Sequence, residues 1–416
     1  MPTQHDVLII GAGVIGACMA HYLLDAGREV TIIDKGRLGG GASHGNAGYI
    51  VPSHATPLAS PTSLREGITG LLNPDSPFYI KPRFNIELFR WLTRFALASR
   101  QSQADRNRPI LRDLSMLSAE LFQDLIPRGE LDCDYEKLGL LEAYNDHDRF
   151  DEGKVEAQQL LDIGLNLTIL DRDETLATEP ALREDIVGSV LMQQDAHLNP
   201  ARFMAEMGQW LIGRGANVLT ETEVTGVSVT GRSVTALHTP TGDHTANEYV
   251  LAAGSWSPLI GNQLGLRIPI QPAKGYSITQ ERPENGPRLP TLLMESRVAI
   301  TPFGRLLRYA GTLEMAGIDT SINERRVQAI NDAIPRYYKS WPETPIVETW
   351  AGMRPVTPDG LPIIGRPAHL DNLFLATGHA MLGLSLSAAT GHLAAQYLTG
   401  LPPDLDLTPF RPARFR

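Results

Sequence analysis

The sequence predicts an α/β protein built from two domains, the second of them an α+β domain inserted into the first. Three observations support this fold class. Residues 5–34 follow the order strand, glycine turn, helix, strand; residues 70–187 change to helical patterning; and strand-like segments bounded by turn residues resume at residue 187. A chain of 416 residues also exceeds what one hydrophobic core usually serves.

The first unit is defined by its glycines. A strand, a turn containing Gly11, Gly13 and Gly16, a helix and a second strand that ends at Asp34 fill residues 5–34. In such a unit the first glycine makes the tight turn, the second lets the backbone approach a pyrophosphate, and the third lets the helix pack on the strand. An acidic side chain at the end of the second strand accepts hydrogen bonds from ribose hydroxyls. The unit is therefore predicted to bind a dinucleotide that contains ADP.

A second glycine-rich segment follows at residues 39–48. It is too flexible for a helix or a strand and too long for a simple turn. We expect a loop shaped around a ligand.

The next part of the chain is rich in proline and then becomes helical. Prolines recur between residues 51 and 82, and an amphipathic helix is predicted at 85–99. Further helical pattern covers 107–126 and 151–164. These residues place the inserted domain at about 70–187.

Strands return in the second half of the chain. A strand is predicted at 187–192 and a small antiparallel ribbon between 218 and 234. Buried strands at 248–256 and 372–379 both end in small residues, the pattern expected where a sheet strand meets a ligand, and a helix is predicted at 382–397.

The choice between FAD and NAD rests on the segments beyond the first unit, because both cofactors carry ADP. The glycine loop at 39–48 directly follows the ribose acid, and the strand ends near 253 and 378 return to the same region. A helix that starts after the second of these ends could place its positive end against a flavin carbonyl. Together they favour FAD.

Composition excludes several classes of protein. The net charge of −10 and the absence of a basic block argue against nucleic-acid binding. The two cysteines, Cys18 and Cys133, give neither a disulfide framework nor a metal site, and no His, Cys and Asp cluster has metal-ligand spacing. The chain opens on a strand without a signal peptide, and its longest charge-free stretch, 372–403, is broken by glycine, serine and histidine. We expect a cytoplasmic protein.

With these residues in place, the chain resembles the D-amino-acid oxidase superfamily of flavoproteins, most closely its bacterial D-amino-acid dehydrogenase branch. The superfamily resemblance rests on the N-terminal glycines, LAAGSW (251–256), WAGMRP (350–355), DGLPIIG (359–365) and ATGH (376–379). The branch is indicated by SHGNAG (43–48), PSH (52–54), the insert near Arg83, KGYS (274–277) and AGTLE (310–314). Hydroxyproline and proline dehydrogenases share parts of the second pattern.

The resemblance implies a Rossmann-like FAD-binding domain and a discontinuous substrate domain built on an antiparallel sheet. The expected boundaries are 1–70, 188–262 and 345–416 for the FAD-binding domain, and 71–187 and 263–344 for the substrate-binding domain. FAD is expected to be held non-covalently. The expected cofactor-binding residues are Gly11, Gly13, Gly16, Asp34, Lys35, Ser43, His44, Gly45, Asn46, Ala47, Gly48, Val224, Ala253, Gly254, Trp256, Gly352, Gly378, His379, Leu382 and Gly383.

Arg354 is the principal catalytic candidate, since the resemblance places a carboxylate-binding arginine in the Gly-x-Arg-Pro motif. A guanidinium in a water-poor pocket grips a carboxylate through two hydrogen bonds. The alternative is a structural arginine paired with an acid such as Glu348. Tyr276 and Tyr309 lie in segments that would form the sheet above the flavin, and they are candidates to orient the substrate or, alternatively, packing residues.

Two histidines have alternative roles. His44 lies where some sarcosine- and dimethylglycine-oxidising relatives carry a flavin-linked histidine, but a hydrogen bond to the flavin or a solvated position is the preferred interpretation. His379 is expected to position the flavin.

The expected reaction is oxidative deamination of D-amino acids to 2-oxo acids and ammonia, with hydride transfer from Cα to flavin N5 and electrons passed to a quinone or another acceptor. Glycine or sarcosine oxidase, proline or hydroxyproline dehydrogenase, and a non-catalytic flavin-binding subunit remain alternatives. The helix at 85–99, with apolar residues among Arg90 and Arg94, is either a core helix or a contact with the inner face of the cell membrane. Oligomeric state and enantiomer stay open.

Overall fold

A computed structural model describes residues 2–70, 78–81, 83–341 and 344–415 of the chain. The α-helices are α1 (Val14–Asp25), α2 (Pro61–Gly70), α3 (Ile86–Ala98), α4 (Gln101–Arg128), α5 (His147–Asp162), α6 (Arg172–Thr178), α7 (Pro200–Gly213), α8 (Ser257–Gln263), α9 (Glu324–Asn331) and α10 (Ser387–Leu398). Short 3₁₀ helices cover Gly254–Trp256, Ile334–Arg336, Thr408–Phe410 and Pro412–Phe415.

The strands belong to two large sheets and one small ribbon. They are β1 (Thr3–Ile10), β2 (Val30–Ile33), β3 (Tyr49–Ile50), β4 (Phe78–Ile80), β5 (Leu140–Tyr144), β6 (Leu167–Leu170), β7 (Gly188–Met192), β8 (Ala196–His197), β9 (Asn217–Leu219), β10 (Gly226–Thr230), β11 (Ser233–Thr239), β12 (Gly242–Leu251), β13 (Gln271–Glu281), β14 (Thr291–Leu293), β15 (Val298–Phe303), β16 (Leu306–Met315), β17 (Ile346–Val356), β18 (Ile363–Gly365) and β19 (Leu373–Thr377).

The first sheet has the order β10-β11-β12-β1-β2-β9, with β19 paired to β12 and β18 to β19. Strands β1, β2, β9, β12 and β19 run parallel to their neighbours within this group. In a parallel sheet the carboxyl ends of the strands meet at one edge, where ligands bind. The turns after β1, β2, β12 and β19 therefore come together, as the glycine and strand-end patterns predict.

The second sheet has the order β17-β13-β16-β15-β14-β5-β7-β6, with β4 added beside β16. Its central pairs β13–β17, β13–β16 and β15–β16 are antiparallel. The expected mixture of a parallel nucleotide-binding sheet and a largely antiparallel second sheet is confirmed, and the fold class is α/β with an α+β second domain.

Sheet pairing shifts two of the expected domain boundaries. Strand β7 pairs with β5 and β6, and β17 pairs with β13, so both lie in the second sheet. The boundaries drawn at 188 and 345 give these strands to the FAD-binding domain instead. The strands that they pair with lie elsewhere in the sequence, so the membership of β7 and β17 in the second sheet follows from pairing and not from their own residues.

Helices α1 and α10 pack against each other beneath the first sheet. Gly391 permits the close approach, because a Cβ there would lie 2.7 Å from the Cys18 carbonyl oxygen. Burial raises the pKa of the Cys18 thiol to about 12, so this cysteine is a packing residue.

Helix α10 starts at Ser387 rather than at the predicted residue 382. Residues 383–386 form hydrogen-bonded turns instead, in which the Leu386 amide donates to the Leu382 carbonyl and the Ser387 amide donates to the Leu384 carbonyl. The segment forms a turn at the edge of the sheet.

Candidate functional site

A cavity of about 1140 Å³ lies between the carboxyl edge of the first sheet and one face of the second. Cavities for drug-sized ligands usually measure about 300–1,000 Å³, so this one has room for a long cofactor together with a small substrate. Every expected cofactor-binding residue except Gly16 and His44 lines it.

The turn after β1 has no space for side chains. Gly11 has φ +116°, and a Cβ there would lie 2.5 Å from the Ala252 carbonyl oxygen. A Cβ on Gly16 would lie 2.0 Å from the Gly11 carbonyl oxygen. Gly13 is the N-cap of α1, and Gly13, Val14 and Ile15 line the cavity, so the N-terminus of this helix lies where a phosphate binds favourably.

Asp34 follows β2 and lines the same cavity. Its Oδ2 accepts a hydrogen bond from the Ala12 amide at 2.7 Å, and its Oδ1 accepts one from the Gly36 amide at 2.8 Å. These bonds fix the carboxylate at the strand end and leave lone pairs on each oxygen for ribose hydroxyls. The neighbouring Lys35 ammonium lies 4.3 Å from the centre of the Trp256 ring.

The glycine loop closes on the first helix and on the second sheet. Ser43 Oγ accepts a hydrogen bond from the Val14 amide at 2.8 Å. Asn46 stabilises the loop itself, because its Nδ2 donates to the Ser43 carbonyl and its Oδ1 accepts from the Gly48 amide, both at 2.8 Å. Gly48 has φ +79°, and a Cβ there would lie 2.2 Å from the Leu198 carbonyl oxygen.

His44 does not line the cavity. Its Nε2 lies 2.9 Å from Glu348 Oε1, and Glu348 does not line the cavity either. The expectation that His44 contacts FAD therefore needs correction, and the geometry gives no support to a histidine–flavin bond.

His379 lines the cavity in the turn after β19. Its Nε2 lies 3.0 Å from Thr390 Oγ1, and burial lowers its pKa to about 3. The ring is therefore neutral over the physiological pH range. A neutral, hydrogen-bonded imidazole can hold the turn in place, in line with the positioning role expected for it.

Arg354 lies on β17 and points into the cavity. Its Nη1 donates to the Thr312 carbonyl at 2.8 Å, and its guanidinium covers Gly275, where a Cβ would lie 2.0 Å from Nη1. Burial lowers its pKa to about 10, so it remains a cation at neutral pH. Among the residues that the structure describes it has no acidic partner, and Glu348 pairs with His44 instead.

Tyr276 and Tyr309 lie on the second sheet, as expected, but their side chains pack in the core behind it. Side chains alternate along a strand, so Tyr276 faces away from its neighbour Gly275, which lies under Arg354. Its hydroxyl donates to Glu314 Oε2 at 2.8 Å, and Tyr276 only borders the cavity. Tyr309 donates to Gln280 Oε1 at 2.8 Å and does not line the cavity. We therefore leave both hydroxyls out of the substrate site.

For two residues that line the cavity, Trp350 and Glu142, the sequence predicts no role. Trp350 lies on the same face of β17 as Arg354, and its ring packs between Gly45 and Gly352, where Cβ atoms would lie 2.1 and 1.9 Å from it. The alternation of Trp350, Gly352 and Arg354 places the three residues on one face of the strand, and this pattern could identify Trp350 from the sequence.

Glu142 is the second of these residues. It lies on β5, and burial together with the nearby Glu156 raises its pKa to about 7. Only strand pairing brings this residue to the cavity.

The cavity fits FAD. Its glycine turn has no room for side chains, α1 presents its N-terminus, a fixed carboxylate lies at the ribose position, and a long apolar and polar channel continues to Arg354. No group of three or more His, Cys, Asp or Glu side chains is arranged for a metal ion in the part of the chain that the structure describes. Within those same residues, every helix is too short or too polar to cross a membrane.

Comparisons with known proteins agree with this geometry. Residues 6–397 match the DAO family model, described as FAD dependent oxidoreductase. A D-amino acid dehydrogenase of Granulibacter bethesdensis is 32% identical over 98% of this chain and 99% of its own length, and a D-amino-acid oxidase of Bradyrhizobium diazoefficiens is 30% identical over the full length of both.

A solved structure shares the fold. Glycine oxidase from Geobacillus kaustophilus superposes with a TM-score of 0.81 over 98% of both chains at 23% identity. The cavity geometry, the family match over most of the chain and the full-length relatives lead to one conclusion: the chain belongs to the DAO family of FAD-dependent oxidoreductases.

Proposed function

We propose that the protein oxidatively deaminates D-amino acids to 2-oxo acids and ammonia and passes the electrons to a quinone or another acceptor. The observation that carries this proposal is the position of Arg354. This partly buried cation faces the cavity and has no acidic partner among the described residues. A cation removed from water is costly unless an anion joins it, and the substrate carboxylate is such an anion.

Arg354 is preorganised for this role. One of its N–H groups is bound to the Thr312 carbonyl, and the backbone at Gly275 leaves space for the planar guanidinium. The remaining N–H groups have no acceptor in the described part of the chain and can bind both oxygens of a carboxylate. A clamp of this kind fixes the orientation of the Cα–H bond.

The surroundings of Arg354 favour an uncharged amine. Leu313, which follows the Thr312 that binds Arg354, lines the cavity and belongs to one hydrophobic cluster with Leu58 and Phe78, which also line it. Apolar surroundings disfavour the ammonium form, and only the neutral amine has the lone pair that forms an imine as hydride leaves Cα. Bound FAD supplies the acceptor of that hydride at N5. Water then hydrolyses the imine to the 2-oxo acid and ammonia.

The relatives support amino acids as the substrate class. The sequence relatives described above are named for D-amino acids, whereas the solved relative is named for glycine. Glycine or sarcosine, and proline or hydroxyproline, are therefore the competing substrates. A non-catalytic flavin-binding subunit is the alternative outside enzymes.

Product analysis tests the proposal. With an artificial acceptor that takes two electrons, we expect a D-amino acid to yield oxo acid, ammonia and reduced acceptor in equal amounts, and its L-enantiomer to yield none. Turnover of glycine, sarcosine or proline alone would replace the proposed substrate class. If flavin-loaded protein turns over none of these compounds, the alternative of a non-catalytic flavin-binding subunit is supported.

Arg354→Lys tests the clamp. Lysine keeps the charge but lacks the fork of N–H groups, so kcat/KM should fall by about 10²-fold while FAD content is unchanged. Arg232→Lys, on an exposed Asp371 pair far from the cavity, is the control. Unchanged kcat/KM in Arg354→Lys and Arg354→Met would remove Arg354 from the substrate site.

We also propose that FAD is held non-covalently, because His44 is paired with Glu348. Acid precipitation of the holoprotein should release all the flavin into the supernatant. Yellow colour retained in the washed precipitate would contradict this assignment.

Contact with a membrane surface is a further part of the proposal. Ile86 and Phe89 on α3, together with Phe84 before it, are exposed, and Arg90 lies beside them in an ion pair with Glu87. An exposed apolar patch beside an arginine suits insertion into a lipid surface. The protein should sediment with phosphatidylglycerol vesicles, and Phe84→Ser with Phe89→Ser should abolish sedimentation; equal sedimentation of both proteins would exclude this surface.

A further inference from the structure

The face of the second sheet holds the glycine loop through four consecutive backbone carbonyls. Ser277 Oγ donates to the Gly45 carbonyl at 2.8 Å, and Thr301 Oγ1 donates to the Ala47 carbonyl at 2.7 Å. Arg308 Nη1 donates to the two carbonyls that alternate with them, those of His44 at 3.2 Å and Asn46 at 3.0 Å. The three donors come from β13, β15 and β16.

Arg308 is built into this contact. Its side chain is about 4% exposed, and its Nε donates to Thr279 Oγ1 at 2.8 Å. Its guanidinium lies 5.5 Å from the centre of the Phe303 ring, and that ring also packs against Gly48. The nearest carboxylate oxygen, on Glu348, lies 4.0 Å away. A cation so deeply buried has backbone carbonyls as its main acceptors.

The carbonyl bonds determine where the loop amides point. The peptide bonds of the loop are trans, and in a planar trans peptide the C=O and the following N–H point in opposite directions. Because the carbonyls of Gly45 and Asn46 point to the sheet, the amides of Asn46 and Ala47 point away from it. Neither amide has an acceptor among the described residues, and both residues line the cavity.

We propose that Arg308 is a positioning residue for FAD: by holding the Asn46 carbonyl on the sheet, with the His44 carbonyl as its second anchor, it keeps the Ala47 amide available to an electron-rich atom of the cofactor. Ser277 keeps the Asn46 amide available in the same way, through the Gly45 carbonyl. Arg308 itself is not in the cavity lining. It acts through the loop, with Ser277 and Thr301 as neutral supports. The second sheet thereby contributes to FAD binding as well as to the substrate site.

The test measures FAD affinity in the apoprotein rather than turnover. FAD is titrated into native protein, Arg308→Met, Arg308→Lys and Arg305→Met, and the Kd is obtained from the quenching of flavin fluorescence. Arg305 is the matched control, because it lies in the turn of the same hairpin and is exposed. The visible spectrum of bound FAD and the apoprotein Tm are recorded for each.

We expect Arg308→Met to raise the FAD Kd at least about tenfold and to shift the flavin visible band, since charge-assisted hydrogen bonds to two loop carbonyls are lost. Arg308→Lys should restore part of the affinity, and Arg305→Met should match the native protein. An unchanged Kd and spectrum in Arg308→Met, or an apoprotein Tm that falls without any change in either, would overturn the proposal.

A second variant decides the question if Arg308→Met does not fold. Ser277→Ala combined with Thr301→Val removes the two neutral donors with little change in volume. We expect a weaker FAD affinity and a shifted flavin band in this protein, and native values for both would equally overturn the proposal.

Discussion

At the scale of the residue, the site depends on one cation and on the glycine that makes room for it. Strand pairing sets Arg354 opposite Ala273, and its guanidinium extends over Gly275, two residues further along β13, while its free N–H groups face the cavity. The guanidinium position is therefore set by sterics on one side and by the Thr312 carbonyl on the other.

Gly275→Ala should displace the guanidinium. A Cβ at this position would lie 2.0 Å from Arg354 Nη1, so the arginine must move although its charge is kept. We expect KM for the amino acid to rise about tenfold or more with unchanged FAD content, measured by steady-state kinetics and flavin absorbance. Gly213→Ala, where nothing lies within 4 Å, is the control. Native kinetics in Gly275→Ala would show that Arg354 tolerates the shift.

The sequence was sufficient to select Arg354 but not to decide which tyrosines accompany it. Strand β13 is buried on both faces over ten consecutive residues, so its hydrophobic pattern carries no alternation. Tyr276 and Gly275 are adjacent in sequence and point to opposite sides of the sheet. Only the pairing with β17 determines which of the two faces the cavity.

At the scale of the element, the first βαβ unit is the part that local sequence determines most completely. Strand β1, the glycine turn, α1 and β2 lie where their patterns predict them, because each depends on neighbours close in the chain. Helix α5 begins at His147, four residues before its predicted start, since the Asp146 side chain caps it at the Arg149 amide.

Gly11→Ala should abolish FAD binding. The new Cβ would lie 2.5 Å from the Ala252 carbonyl oxygen, and φ +116° is unfavourable for alanine. We expect purified Gly11→Ala protein to contain less than about a tenth of the native FAD, measured from its visible absorbance. Gly213→Ala is the control, because Gly213 lies outside the cavity lining and nothing lies within 4 Å of its Cβ position. Full FAD occupancy in Gly11→Ala would contradict the assigned cradle.

At the scale of the whole molecule, the cavity is assembled from segments that are far apart in sequence. The glycine loop, β5, β13, β16 and β17 meet only through sheet pairing. For this reason the sequence indicated two sheets but misplaced β7 and β17 at the domain boundaries, and Glu142 was not recognised as a cavity residue. Long-range pairing leaves no local pattern by which a single sequence reveals it.

A buried carboxyl joins the segment after β3 to the segment between β7 and β8, and it makes the stability of the fold depend on pH. Asp195 accepts a hydrogen bond from the Ser53 amide at 3.1 Å and a second from the Ser53 hydroxyl. Burial raises its pKa to about 8 from an ordinary value of 3.8. Between these two pH values the folded protein keeps a proton that the unfolded chain releases, so the free energy of unfolding falls as pH rises through this range and then levels off.

Asp195→Asn should remove this dependence, because the amide reproduces the protonated carboxyl and its bonds to Ser53. The measured quantity is the Tm of the variant minus the Tm of the native protein, from thermal unfolding with saturating FAD. We expect this difference to become more positive from pH 5.5 to pH 8.5. Asp332→Asn, on an exposed helix end, should show no such trend. A constant Tm difference for Asp195→Asn would mean that this carboxyl is ionised in the folded protein at neutral pH.

The most direct measurement of the central claim is anaerobic reduction of the bound flavin in a stopped-flow instrument. A D-amino acid and its L-enantiomer are mixed in turn with the holoprotein, and the visible flavin band is followed over time. We expect saturable bleaching by the D-enantiomer and none by the L-enantiomer, with Arg354→Lys shifting the saturation to higher concentration. If no D-amino acid bleaches the flavin while glycine, sarcosine, proline or an L-amino acid does, the proposed function is wrong.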